Sequence, residues 1–175
     1  MMRPELAQSN GGLYTANERV RVPAQVHPYS TGPIGGIIAG AVMTVAMAGW
    51  GAVTGYGIWM PVNLIAATFI PELQIASVET LANFHLMGAV VGTLLHFGFS
   101  ILLVSIFAAI LPTLPGSAFF WALVVGPGLW FSAQYLALPI FNPRMETRIN
   151  LPSFAISHLM YSLVLGWWIA RTPKI

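Results

Sequence analysis

Four long apolar stretches, near residues 34–60, 84–111, 118–140 and 153–170, carry almost no charge and constrain this chain more than any other feature. A helix that crosses a bilayer needs about 20 apolar residues, a length the first three exceed and the fourth just reaches. In hydrocarbon every backbone N–H and C=O must find its partner within the chain, so such stretches fold as helices. Composition agrees: 57% of residues are hydrophobic and 7% charged, whereas an ordinary soluble domain carries about 25% charged residues. The expected fold is an all-α integral membrane protein with four transmembrane helices.

Several chemistries drop out at once. Without cysteine there is no disulfide, thiolate or iron–sulfur ligation. Seven Lys/Arg against five acids is a small, unclustered excess, and nucleic-acid binding needs a clustered basic face. No nucleotide-binding glycine loop, nucleophile elbow or metalloprotease helix occurs, so no enzymatic activity is expected.

Residues 1–33 mix Gly, Pro, Ser, Asn and charge without periodicity and lack the apolar core of a signal peptide, which predicts a polar arm. Arg3, Arg19, Arg21, Arg171 and Lys174 flank the first and last spans, while only Arg144 and Arg148 occupy the loop between the third and fourth. That bias predicts both termini on the cytoplasmic side. The stretch "GIWMPVNLIA" resembles small four-helix membrane proteins of bacteria, a likeness from which no activity is carried over, and the expected location is a bacterial inner membrane. The connection from Met60 to Asn83 is too polar and proline-broken to span, and too apolar for a plain loop; it reads as an interfacial or re-entrant segment. The short link "LPTLPGS" predicts that spans two and three are antiparallel neighbours.

The two halves look alike. "YGIWMPVN" (Tyr56 to Asn63) matches "YLALPIFN" (Tyr135 to Asn142), and "HFGFS" (His96 to Ser100) matches "HLMYS" (His158 to Ser162). Duplicated hairpins, 34–112 and 118–173, would explain both matches through a pseudo-twofold axis along the membrane normal. Equivalent second and fourth helices would place His96 and His158 at one depth, roughly 23 Å from their cytoplasmic ends at about 1.5 Å per residue. Paired imidazoles at one level can hold the iron of haem b, and related sites hold (bacterio)chlorophyll. Asn63 and Asn142 would then stand nearby as second-layer groups. The plainer reading is that each histidine satisfies a neighbouring hydroxyl or carbonyl. A third metal ligand is missing, because His85 lies about 16 Å further along the helix.

Gly36-xxx-Gly40 and Gly51-xxx-Gly55 in the first span have the spacing that lets helices approach closely, either within this chain or against a partner subunit. "GPG" (Gly126 to Gly128) predicts a kink at Pro127. "NPRMETR" (Asn142 to Arg148) is a short charged loop suited to a soluble partner. Three function classes follow. The leading one is a non-catalytic subunit that stabilises or assembles a larger respiratory or photosynthetic electron-transport complex, with other membrane subunits and lipid as partners. The second is an electron-transfer subunit holding haem b between His96 and His158. The third is a small transporter or channel acting as an oligomer, although no charge lies mid-membrane to form an ion path.

Overall fold

A computed structural model describes residues 26–175. Most of the expected arm at 1–33 therefore lies outside the described residues. Within them every regular element is helical: α1 (Thr31–Thr54), α2 (Met60–Ala66), α3 (Pro71–Ile75), α4 (Val78–Ala82), α5 (Leu86–Ile110), α6 (Ala118–Ser132), α7 (Leu138–Phe141), α8 (Pro143–Arg148) and α9 (Leu151–Arg171). Four stretches are long and apolar enough to cross a membrane: Thr31–Thr54, Leu86–Thr113, Ala118–Phe141 and Leu151–Arg171. The chain is thus an all-helical protein with the build of an integral membrane protein.

Local chemistry sets the boundaries. The first span stops at Gly55, well before residue 60, because Gly55 adopts a left-handed conformation at φ 79° that ends the helix. Gly57, at φ 84°, then turns the chain so that its N–H returns to the Gly51 carbonyl at 3.0 Å. In the third span Pro127 sits inside α6, and the ladder slips into a π-turn at Ala133–Ala137. Pro139 follows at the start of α7. Its ring displaces the carbonyl four residues earlier, which places the irregularity just ahead of it rather than at Pro127.

The spans stand in the order α5, α1, α9, α6: α1 packs along both α5 and α9, and α9 packs along α6. Spans two and three, expected as packed neighbours from their short link, meet hardly at all. A short link holds two helix ends together, but contact along the length goes where small residues let backbones close. Those residues point elsewhere. A Cβ at Gly32 would stand 2.6 Å from the Ser105 Cα, and one at Gly36 would stand 2.6 Å from the Ile101 Cα. Gly35 faces Trp168, whose indole N–H donates to the Thr31 carbonyl at 3.1 Å. Gly166 faces Phe119 and Ala122. The core between the spans joins Ala39, Val104, Phe107, Tyr161, Leu165 and Ile169.

The Met60–Asn83 connection folds into three short helices that cap one end of the spans. Pro61 and Pro71 lie in the first turns of α2 and α3, where a missing N–H costs no hydrogen bond. Ser77 caps α4 by accepting from the Thr80 N–H at 3.1 Å. Gly88 and Gly92 let α2 lie directly on α5, with the Asn63 amide and the Val62 carbonyl against their bare Cα atoms. Leu64, Ala66, Leu73 and Leu81 are buried there together with Met145 and Phe154. At the opposite end Val26 and Ile175 exchange backbone hydrogen bonds at 3.0 and 2.8 Å, so the described chain begins and finishes at one end of the domain.

Candidate functional site

Two polar side chains of α5 meet the glycine face of α1. Ser100 Oγ lies 2.7 Å from the Gly36 carbonyl and 3.1 Å from the Tyr161 hydroxyl. The carbonyl only accepts, so Ser100 spends its hydrogen there and Tyr161 must donate to Ser100. One buried serine therefore ties α5 to α1 and to α9. One turn away, His96 Nε2 sits 3.0 Å from the Gly40 carbonyl. By the same logic that nitrogen carries the hydrogen, and the free lone pair of a neutral His96 lies on Nδ1. Thr44 donates to the same carbonyl at 2.9 Å, so both of its lone pairs are engaged.

His158 is held differently. Its Nδ1 donates to the Phe154 carbonyl of its own helix at 2.8 Å, which leaves the lone pair on Nε2. The Phe154 ring stands edge-on to the imidazole at 4.4 Å between centroids. The two histidines thus have opposite tautomers and different jobs. Bonding Nδ1–H to a carbonyl is how many metal-ligating histidines are oriented, and His158 meets that condition; His96 has its Nε2 turned into α1. An apolar cavity of about 280 Å³ borders His96 and is walled by Met43, Met47, Trp59, Val62 and Phe97, with Phe154 on the side toward α9. His158 is not on that wall.

Asn63 and Asn142, expected beside the histidines, fasten the cap instead. Asn63 Nδ2 donates to the Leu81 and Asn83 carbonyls, both at 2.9 Å. Asn142 Nδ2 donates to the Leu64 carbonyl at 2.6 Å and the Thr68 hydroxyl at 2.9 Å. Its Oδ1 accepts from the Met145 N–H at 3.0 Å and from Gln74 at 3.3 Å. Neither amide bonds a histidine. His85 caps α5, its Nδ1 accepting from the Gly88 N–H at 2.9 Å.

The glycines divide. Gly36 and Gly40 belong to the packing of α1 on α5, inside the chain's own bundle. Gly51 meets the Gly57 carbonyl and Gly55, in the left-handed conformation, closes α1, so within this chain that pair serves the helix ending. Gly126, from "GPG", seats the Ser162 hydroxyl against α6. The charged stretch after Asn142 is a helical turn in which Arg144 reaches the Ala76 carbonyl of the cap, while Arg148 stays exposed. Ser100 and Tyr161 both lie in the matched HFGFS and HLMYS stretches, but their bond to each other across α5 and α9 was not foreseen from the sequence. Among the described residues no three His, Asp or Glu side chains come together as a metal site. No protein-family model, curated protein or solved structure matches the chain.

Proposed function

We propose that this protein is a small non-catalytic membrane subunit that stabilises or assembles a larger electron-transport complex of a bacterial inner membrane, with both termini cytoplasmic. The observation that carries the reading is the open row of spans. The outer two, α5 and α6 with its extension, each lie along one neighbouring span, α5 adding the Ser100–Tyr161 contact to α9, so much of their surface is left for other subunits or lipid. Small residues mark those faces: a Cβ at Gly98 or Gly128 would meet no atom of this chain within 4 Å. Ser100, Tyr161 and His96 are meanwhile spent on joining helices. Duplication of a hairpin accompanies this reading. It is supported by the shared role of Asn63 and Asn142, each a buried amide whose Nδ2 donates to backbone carbonyls of the cap.

Purification of the full chain in mild detergent tests the proposal. Stoichiometric membrane partners are expected, and Gly98→Leu or Gly128→Leu should reduce their recovery at least tenfold while this chain stays inserted and folded. A wild-type chain that runs alone after gentle extraction would overturn the reading. Haem ligation by His96 and His158 is the competing assignment, in which the free lone pairs on His96 Nδ1 and His158 Nε2 would take the iron. A reduced-minus-oxidised Soret difference that disappears in His158→Ala would establish it over the accessory role.

A further inference from the structure

The cavity beside His96 is continuous in its walls with a second, of about 210 Å³, at the capped end of the spans. Met47, Pro61 and Ile149 border both. Their linings differ in kind. The first is apolar, walled by methionine and aromatic side chains with His96 at its far side. The second carries Trp50, Tyr56, Asn150, Ser153 and the exposed guanidinium of Arg148. Among the described residues no carboxylate lines either cavity, so the Arg148 charge is not neutralised there.

We infer that the two cavities together hold one anionic phospholipid of the surrounding membrane. Its phosphate would be held by Arg148 and the Tyr56 hydroxyl, and one acyl chain would run along the apolar cavity toward His96. Three features select this occupant. The polar pocket offers the Arg148 cation and the Tyr56 hydroxyl and no carboxylate, which matches a phosphate in a headgroup of net negative charge. The apolar pocket adjoins it directly, so a ligand must be amphiphilic to fill both. The polar pocket lies at an end of the spans and the apolar one along their length, in the order that a lipid presents its own head and chain.

Native mass spectrometry of the full-length protein, extracted and exchanged into vesicles, reads this directly. One arm uses vesicles of phosphatidylglycerol in phosphatidylcholine, one phosphatidylcholine alone, and one phosphatidylcholine with free oleate. One retained phosphatidylglycerol per chain is expected. Arg148→Gln and Tyr56→Phe should each lower its occupancy, the first about tenfold. Val62→Trp, which fills the apolar cavity, should abolish retention with the headgroup contacts intact. A melting temperature in detergent, measured on each variant, shows whether the fold survives; Arg148 is exposed, so its variant should melt with wild type. Equal retention of phosphatidylcholine, retention of oleate in place of phospholipid, or undiminished binding in Arg148→Gln would each overturn the assignment.

Discussion

Gly36→Leu is expected to cost the domain about 3 kcal/mol, read as a lowered melting temperature in detergent and loss of the α1–α5 contact. A Cβ at this position would stand 2.6 Å from the Ile101 Cα and 2.9 Å from both the Ile101 nitrogen and the Ser100 carbonyl oxygen. These are backbone atoms, and no rotamer change moves them away. The helices must separate, and separation also strips the Ser100 hydroxyl from the Gly36 carbonyl and His96 from the Gly40 carbonyl. Overpacking alone typically costs about 1–3 kcal/mol, and the lost hydrogen bonds move the total to the upper end. Gly98→Leu is the matched control on the same pair of elements: with no atom of the chain near it, the change should stay within about 0.5 kcal/mol. Equal melting of Gly36→Leu and wild type would mean that this face does not hold the bundle together.

That contrast also explains how far the sequence could be read. Span number and approximate extent were legible because hydrocarbon demands long uncharged helices, and nothing else satisfies the backbone there. Which faces turn inward was not, because a helix that is apolar all round has little periodicity to reveal its buried side. Small residues were the remaining signal, and it was ambiguous. Gly36-xxx-Gly40 and Gly51-xxx-Gly55 have the same spacing, yet the first is a packing face and the second a helix end. Only the left-handed backbone at Gly55 separates them. The histidine pair drew attention because ionisable groups in a span are rare. Their tautomers, set by the Gly40 and Phe154 carbonyls, depend on which helix lies alongside, and repeated sequence cannot report that. The cap was legible as something other than a loop. Its fastening was not, since an asparagine ending a helix looks the same whether it faces solvent or closes a core.

The cap's fastening leads to the second large effect. Asn142→Ala should release the cap while leaving the four spans inserted. Asn142 is 1% exposed and makes four hydrogen bonds that tie the end of the third span to α2, α3 and α8. Alanine would leave the Leu64 carbonyl, the Met145 N–H and the Gln74 amide without these partners. Each unpaired buried group costs about 1–3 kcal/mol, and partial relaxation brings the sum to roughly 3–4 kcal/mol. The Leu64, Leu73 and Met145 cluster beneath them loosens with it. Hydrogen exchange should therefore accelerate at least a hundredfold across residues 60–83 and 143–149, with protection kept in the middle of α1 and α9, whose contacts do not pass through the cap. Asn142→Asp discriminates between the two ends of the amide. It preserves the acceptor for Met145 and Gln74 but removes the donors to Leu64 and Thr68, and it places a carboxylate against a carbonyl oxygen, so it should rescue little. Full protection of the cap in Asn142→Ala would show that α2 is held by its glycine-lined seat on α5 alone. In that case Gly92→Val, which drives a side chain into the Val62 carbonyl, becomes the change that frees it.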